Sequence, residues 1–273
     1  MSDLAWVALS LTGRIGLKTL RALLGRFGTA QAVLDADETA LREVHGVGKV
    51  IAAAIQQINL PQVENLVQQW RKAGVHVLLP EQYPALLREL DDAPPVLFVR
   101  GTLTEMRGAA IVGTRAPSPQ ALDVAQRLSA ALVEQDYTIV SGLALGIDAA
   151  AHQAAGDSGG ISVAVLGSGV LNVYPPEHRQ LAAQVAWTGA LLSEVRPDAQ
   201  PSSSALVARN RIISGLSEKV FIVETDDDGG AMHAARFARA QGRALYVLNS
   251  AAGGNRALLD NGALPFDNDL RDL

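Results

Sequence analysis

The stretch of residues 138–152, TIVSGLALGIDAAAH, constrains the fold of this chain most strongly. It passes from β-branched residues typical of a buried strand, through a turn of small residues at 141–146, into an alanine-rich segment that predicts a helix from Ile147. Strand, turn and helix in this order build open parallel sheets, in which ligands bind beside the carboxyl ends of strands. The turn is therefore expected to face a phosphate or another anionic group.

Three polar side chains in this unit are candidates for ligand contact. Ser141 offers a hydroxyl donor, Asp148 lies in the first helical turn, and His152 follows four residues later on the same helix face. A structural interpretation stands beside the functional one: Asp148 complements the helix dipole and has His152 as its partner. The sequence leaves both interpretations open.

Composition excludes several classes of protein. The 273 residues include no cysteine, which removes disulfides, thiol catalysis and cysteine-rich zinc sites together. The first residues lack the apolar core of a signal peptide, and no apolar run reaches the roughly 18 residues that span a bilayer. We therefore expect a cytoplasmic protein without membrane contact. The formal net charge of −5 argues against a generally basic nucleic-acid-coating protein, so any anion site must be made locally.

Hydrophobic periodicity divides the chain into a helical part and an α/β part. We predict a small helical domain at 1–62, a linker helix and connector at 63–80, alternating strands and helices at 81–266, and a tail at 267–273. Apolar strands joined through helices indicate a doubly wound, mostly parallel sheet covered on both faces. The predicted strands are 96–100, 109–113, 137–141, 162–167, 190–194, 220–224 and 244–248.

The helical part contains a candidate nucleic-acid contact of its own. His45, Gly46, Val47, Gly48 and Lys49 precede an apolar helix in a pattern similar to a helix-hairpin-helix turn. Such a turn directs backbone N–H groups at a phosphate, and Lys49 adds positive charge. Small helical domains also use Gly-x-Gly turns for tight packing alone, so both roles stay open for this turn.

Several strands of the α/β part end in turns that suit an anion. Arg115 is the strongest candidate, because it follows a Gly-Thr turn and arginine presents a planar fork of donors to phosphate. A surface salt bridge is its alternative role. Of Arg209 and Arg211, one can reach a ligand while the other braces the fold. The candidates at strand ends are Gly113, Thr114, Arg115, Ser141, Gly142, Gly167, Ser168, Arg209, Asn210 and Arg211.

The chain carries few signatures of an enzyme. It lacks the Walker phosphate loop, the nucleophile elbow, the His-Glu-x-x-His zinc helix and a Gly-x-Gly-x-x-Gly fingerprint after the first strands. The carboxylates at 224–228 indicate a solvated loop or, alternatively, a divalent-cation site. We therefore predict no catalytic residue, no metal and no cofactor.

Taken together, these motifs resemble the DprA/Smf family, the DNA-processing protein A of bacterial natural transformation. The pattern covers about residues 80–263 in the family order and includes 112–115, 141–148, 165–169 and 209–217. The occurrence of all these motifs in one chain and in this order is highly specific for the family. The helical segment before it is similar to the small SAM-like domain, with a helix-hairpin-helix turn, that many members carry.

The resemblance implies an extended Rossmann-like fold that binds single-stranded DNA without reading its sequence. It also implies a homodimer that protects incoming DNA and helps to load the RecA recombinase, with no catalysis required. The family pocket would be formed here by Gly113, Thr114, Arg115, the turn at Ser141 and Gly142, the turn at Gly167, and Arg209, Asn210 and Arg211.

The chain departs from the family pattern beside the expected pocket. Members commonly carry an aromatic-proline pair and a basic residue just before Arg-Asn-Arg, where this chain has SSSALVA at 202–208. The usual Ser-Gly-Ser-Leu turn is replaced by Asp228, Gly229 and Gly230, whose carboxylate repels phosphate. We expect no winged-helix domain after the Rossmann-like part. We therefore predict weaker and more salt-sensitive DNA binding than a typical member shows.

Two other functions stay open. The first is a nucleotide or phosphoribosyl hydrolase of the lysine-decarboxylase-like Rossmann group, although the threonine and catalytic acid that follow the glycines in that group have no match after Gly230. The second is a diverged scaffold protein that keeps the fold and the dimer but has lost DNA binding.

Overall fold

The computed structural model describes residues 2–271, and its first part is a compact set of helices. Glycine and side-chain caps separate them: Gly28 ends α2, the Thr29 hydroxyl accepts from the Ala32 amide, and the Asp37 carboxylate accepts from the Ala40 amide. These helices are α1 (Ser2–Ser10), α2 (Leu17–Phe27), α3 (Ala30–Asp35), α4 (Glu38–Arg42), α5 (Lys49–Gln56) and the longer α6 (Leu60–Lys72).

Nine strands within residues 2–271 form one sheet, in the order β1-β2-β6-β5-β4-β3-β7-β8-β9. The strands are β1 (Val75–Leu78), β2 (Leu97–Gly101), β3 (Gly108–Val112), β4 (Thr138–Ser141), β5 (Ser162–Val165), β6 (Ala190–Ser193), β7 (Lys219–Ile222), β8 (Ala244–Leu248) and β9 (Leu264–Phe266). All neighbouring pairs from β6 to β9 are parallel, whereas β1 and β2 join antiparallel at one edge. The predicted α/β fold with a mostly parallel sheet is confirmed.

Helices cover both faces of the sheet, and the alternation of side chains along β3 shows why. Ala110 and Val112 belong to one buried cluster, while Ala109 and Ile111 belong to another on the opposite face. The sequences of such strands are continuously apolar because neither face of the sheet is exposed to water. The covering helices are α7 (Ala85–Arg88), α8 (Pro119–Glu134), α9 (Ile147–Asp157), α10 (Arg179–Thr188), α11 (Ser203–Ala208), α12 (Asn210–Gly215), α13 (Gly230–Ala240) and α14 (Gly253–Asp260).

The helical part packs directly on the antiparallel edge of the sheet. The indole of Trp6 donates to the carbonyl of Pro95 at 2.7 Å. Val7 shares a buried cluster with Trp70 and Phe98, whose rings meet edge to face at 5.2 Å. Because these contacts join α1 and α6 to β2, the helical part is held against the sheet by apolar burial.

Three elements differ from the sequence prediction. The run at 75–78, predicted inside the connector, is the edge strand β1, because Val75 is buried and the run pairs with β2. Strand β9 was not predicted, since it is only three residues long and contains Pro265, which an edge strand tolerates. The sequence near residues 205–216 predicts one helix between strands, but the structure divides it into α11 and α12 at Arg209, whose side chain is buried, and no glycine or proline marks that break.

The connections create a switch point between β3 and β7. The chain proceeds outward from β3 through β4 and β5 to β6, then returns to place β7 on the other side of β3. Loops that leave the carboxyl ends of β3 and β7 therefore diverge, which leaves a crevice between them. No helix within residues 2–271 has the length and apolar character needed to cross a membrane.

Candidate functional site

A cavity of about 370 Å³ lies in this crevice, and we call it the switch-point cavity. The end of β3, the start of α9, the junction of α11 with α12, and the loop that enters α13 form its walls. The eleven residues predicted from the sequence to bind nucleic acid include five that line this cavity. These five are Gly113, Thr114, Arg115, Arg209 and Asn210.

Gly113 brings the first turn of α9 close to the end of β3. A Cβ atom on Gly113 would lie 2.6 Å from Cγ1 of Ile147 and 3.0 Å from the carbonyl oxygen of Glu224. The amide of Thr114 donates to that same carbonyl at 2.7 Å, and the amide of Ile147 donates to the Thr114 carbonyl at 3.2 Å. Since any side chain at position 113 would push these elements apart, glycine is required there.

Asp148 and Arg209 form a buried brace behind the cavity. The Asp148 carboxylate accepts from the amides of Gly142 at 3.1 Å and Ala144 at 3.4 Å. The Arg209 guanidinium donates to the carbonyls of Gly142 and of Val165, the latter at 3.0 Å. A Cβ on Gly142 would lie 2.6 Å from Nη2 of Arg209, so glycine is needed here too. The brace thus ties α9, the end of β4, the end of β5 and the α11–α12 junction together.

Burial dominates the electrostatics of this brace. It raises the pKa of the Asp148 carboxyl, although the Arg209 guanidinium and the two amides act in the opposite direction. It also lowers the pKa of Arg209, against the attraction of Asp148. Arg209 is only 6% exposed and donates through Nη1 to two carbonyls, while its Nε has no partner among residues 2–271, so its guanidinium acts first as a brace that positions the site.

Arg115 is the cation that the cavity presents to solvent. Its side chain is exposed and makes no hydrogen bond or ion pair with another residue of the described range 2–271. Across the cavity, α13 begins at Gly229 without a side-chain cap, so the amides of Gly230 and Ala231 have no side-chain acceptor there. A guanidinium and a helix N-terminus that face one cavity attract an anion.

Asp226 opposes this attraction. It lines the same cavity and is exposed, so its carboxylate repels a bound phosphate through partly screened solvent. Glu224, by contrast, is half-buried and accepts from the Ser118 amide at 2.7 Å, which fixes the start of α8. One interpretation of the carboxylate run at 224–228 was a solvated loop. In the structure, Glu224 of this run holds the start of α8, and Asp226 lines the cavity.

The structure corrects the expectation for the Ser141 side chain. Its hydroxyl is fully buried and donates to the Ile111 carbonyl at 2.6 Å, so it joins β4 to β3 and offers no donor to a ligand. Gly142 lies one layer behind the cavity, against the brace. Gly167 packs against the backbone of Leu206, and Ser168 is buried, so this turn supports α11 without lining the cavity.

Asn210 and Arg211 are largely occupied by protein partners. The side-chain nitrogen of Asn210 donates to the carbonyls of Leu206 and Val207 at the end of α11. Arg211 makes a bidentate pair with Glu194, at 2.9 and 2.6 Å, and lines a separate groove beside the helical part. Arg211 is thus held by Glu194, whereas Arg209 braces the fold and also lines the switch-point cavity, so the expectation that one of the two arginines reaches a ligand stays a prediction.

Lys49 lies far from this cavity in the chain's helical part. It is exposed at the start of α5, whose N-cap Gly48 has no side-chain hydrogen bond. Gly46 in the preceding turn has φ +88°, a conformation that glycine adopts readily. The turn therefore has the hairpin geometry expected from the sequence, but the structure does not bring it together with Arg115.

His152 does not pair with Asp148, contrary to one interpretation of the sequence. It is 1% exposed, and neither ring nitrogen has a hydrogen-bond partner among residues 2–271. Burial, reinforced by the positive charge of Arg209 and by His178, lowers the pKa of His152 to about 3. The imidazole is therefore neutral at physiological pH.

Sequence reasoning missed the contribution of α13. The amides of Gly230 and Ala231 reach the cavity because the loop after β7 folds back toward β3. The signal was present as a Gly-Gly pair between a strand and a helical segment, but the neighbouring carboxylates favoured a solvated loop. The apolar Leu206, which lines the cavity from α11, carried no local signal.

The fold and the cavity define a Rossmann-like protein with a crevice at its switch point that Arg115 lines, preceded by a helix-hairpin-helix domain. The chain belongs to the DNA recombination-mediator protein A family, whose model matches residues 74–270. A second model, the SAM-like helix-hairpin-helix tandem, matches residues 12–57. The family resemblance recognised in the motifs is confirmed.

Individual relatives agree with this assignment. Protein Smf of Synechocystis is 36% identical over 272 residues, which cover 94% of this chain and 68% of that protein. The X-ray structure of DNA processing protein A from Streptococcus pneumoniae matches with a TM-score of 0.85 and 26% identity, over 97% of this chain and 95% of that one. A Helicobacter pylori DNA processing protein A, described for its single-stranded DNA binding mode, matches with a TM-score of 0.65 and 29% identity, over 70% and 90%.

Proposed function

We propose that this protein binds single-stranded DNA at the switch-point cavity without reading its sequence. The observation that carries the proposal is the free Arg115 guanidinium, which faces the uncapped N-terminus of α13 across the cavity. Guanidinium and backbone N–H groups contact phosphates, which are the same at every nucleotide. The single-stranded DNA binding named for the Helicobacter pylori relative supports the same ligand.

The proposed affinity is modest. The wall formed by α11 offers Leu206 in place of an aromatic ring on which a base could stack, and Asp226 adds negative charge to the cavity. Phosphate contacts that work against a carboxylate depend strongly on screening. These two features support weaker and more salt-sensitive binding than a typical family member shows.

We further propose the family's wider role for this chain: a homodimer in the cytoplasm that protects incoming single strands in transformation or recombination and helps to load a RecA recombinase. Family membership supports this role. The proposal requires no catalytic step, because binding and hand-over of a strand involve no covalent change.

Fluorescence anisotropy with labelled oligonucleotides of mixed sequence tests the proposal. Single strands and duplexes are titrated at two salt concentrations with the parent protein and with Arg115→Ala. We expect a salt-dependent preference for single strands, an affinity loss of about tenfold in Arg115→Ala, and a salt slope reduced by about 0.7, the value for one phosphate contact on a single strand.

The contrary outcomes are equally specific. Absence of binding at low salt, or unchanged binding by Arg115→Ala, would overturn the cavity assignment. Release of ribose from nucleoside monophosphates would instead favour the hydrolase, and absence of both activities would favour the scaffold.

A further inference from the structure

A surface groove lies between α9 and α10, and its upper end is next to the backbone of Thr114 and Arg115, two residues that line the switch-point cavity. Its upper end includes Gly146, where an added Cβ would lie 2.4 Å from the Thr114 carbonyl oxygen and 2.9 Å from the Arg115 carbonyl carbon. From there the groove passes Ala149 and reaches Gln153, which lines both its upper and its lower half. The two halves measure about 530 and 520 Å³. The upper end of the groove is therefore adjacent to the chain segment that carries Arg115.

The walls of the groove are rich in uncharged amides. Gln153 on α9 faces Gln180 and Gln184 on α10, and all three side chains are exposed. We call this surface, with Leu181 and Trp187, the α9–α10 groove. The amide of Gln153 already donates to Asp157 at 3.0 Å, whereas those of Gln180 and Gln184 have no partner among the described residues. A glutamine amide offers N–H donors and a carbonyl acceptor, which suit the donors and acceptors on the edge of a nucleobase. The titratable groups that line it are the carboxylates Glu177 and Asp157, near its two ends, and the imidazole of His178.

Trp187 stands at the lower end of the groove with 89% of its surface exposed. The two other tryptophans are held by the fold, since Trp70 is 4% exposed and the indole of Trp6 is hydrogen-bonded to Pro95. An indole left in solvent contributes nothing to the core. A flat, exposed aromatic face is instead suited to stacking with a base.

His152 forms the floor of the lower half and is the buried polar group without a partner described above. Its neutral imidazole carries one donor and one acceptor nitrogen. A buried polar group that is left unpaired costs free energy, so a partner supplied from the groove would remove that cost.

We propose that the α9–α10 groove is a second nucleic-acid site, in which a base of the strand held at the switch-point cavity stacks on Trp187 and turns its edge toward His152 and the glutamine amides. This inference rests on the proposed function. Glu177 and Asp157 repel phosphates, so the sugar-phosphate backbone lies outside the groove while bases enter it. A duplex, whose bases are already stacked and paired, cannot use the groove.

The test combines anisotropy with tryptophan fluorescence for unlabelled and labelled single strands of 4 to 16 nucleotides, a range typical of site sizes on single-strand-binding folds. We expect the shortest strands to bind without changing the tryptophan emission and longer ones to quench it. In Trp187→Ala the quenching disappears and the affinity for long strands falls about tenfold, while the affinity for the shortest strands is unchanged.

Leu264→Ala is the matched control, because Leu264 is 47% exposed on β9, at the edge of the sheet and outside the groove. It should bind strands of every length like the parent. If the parent binds long strands but Trp187→Ala binds them equally well, the groove inference is wrong. The proposal that DNA binds at the switch-point cavity is then unaffected. If the parent binds no strand of any length, the proposed function itself fails.

The variant His152→Leu tests the contribution of His152 to DNA binding separately from that of Trp187. Because neither nitrogen of His152 has a partner among the described residues, leucine should not lower the melting temperature. We expect weaker binding of long strands only. A raised melting temperature with unchanged binding of long strands would contradict a role for His152 in the site.

Discussion

Two glycine-rich turns in this protein place an exposed cation beside a helix that starts without a side-chain cap. One is the pair formed by Arg115 and the start of α13 at Gly229, and the other is Lys49 at the start of α5, after Gly48. Their local chemistry is nearly the same. The first pair, however, lines a cavity built from four parts of the chain, whereas Lys49 lines none of the cavities described above.

A glycine-rich turn forms part of a binding site only where other segments of the chain lie beside it. The switch-point cavity exists because Asp148 and Arg209 hold three chain segments around Gly142. The hairpin turn has no counterpart to this brace. We therefore expect the two turns to differ in their response to substitution, and four predictions examine that expectation.

The largest effect is expected for Arg209→Ala, which leaves the buried Asp148 carboxylate without its counter-charge. We predict a loss of about 3–5 kcal/mol in the free energy of unfolding, measured by urea denaturation. Asp148→Asn combined with Arg209→Met serves as the control and should recover part of this loss. A loss below about 1 kcal/mol for Arg209→Ala would show that the brace does not hold the cavity together.

The next effect is a pH dependence that originates beside the brace. His152 has a pKa of about 3 in the folded protein against 6.5 when unfolded, so above pH 6.5 the fold keeps its full stability with respect to protonation of this group. This stability is lost as the pH falls from 6.5 toward 3, with a slope approaching about 1.4 kcal/mol per pH unit. His152→Leu should lack that slope, and the difference between the two proteins cancels the titration of Asp148 and other carboxyls.

Urea unfolding between pH 7 and 4.5 measures this difference. Parallel stability curves for the parent and His152→Leu would mean that the imidazole is not held neutral in the folded state.

A smaller effect is expected for Asp226→Asn, which removes an exposed carboxylate from the cavity. We predict that the affinity for single-stranded DNA rises by about three- to tenfold at low salt and that the gain shrinks at high salt. Asp228→Asn is the control, since Asp228 is exposed on the same loop but does not line the cavity. Equal gains for both variants would indicate a diffuse charge effect and not a contact inside the cavity.

The smallest effect is expected for Lys49→Ala. An exposed lysine on a turn without a cavity contributes little to phosphate binding, so we predict less than about a twofold change in affinity. Anisotropy at low salt, where surface charges act most strongly, is the appropriate measurement. A loss as large as that of Arg115→Ala would remove the distinction between the two turns.

Sequence reasoning identified features whose signals are local. The turn at Gly113, Thr114 and Arg115 follows an apolar strand directly, and parallel sheets gather such turns at one edge. The mostly parallel character of the sheet and the covering of both its faces were predicted from the alternation of strands and helices in the same way. The residues of this turn therefore lie where the sequence placed them.

Features that depend on distant partners were not predictable. Whether Arg211 is free or paired is decided by Glu194, seventeen residues away in sequence. The direction of the Ser141 hydroxyl is set by the Ile111 carbonyl on the neighbouring strand, and the role of Arg209 by carbonyls on two other strand ends. Propensity and periodicity contain no information on such contacts.

Backbone hydrogen exchange, with and without a mixed-sequence single-stranded oligonucleotide, tests the central claim most directly because it reports where the strand lies. The account predicts slower exchange at the amides of residues 113–115 and 229–231 when DNA is bound, with little change at residues 46–49. Protection confined to residues 46–49, with the cavity amides unaffected, would contradict it.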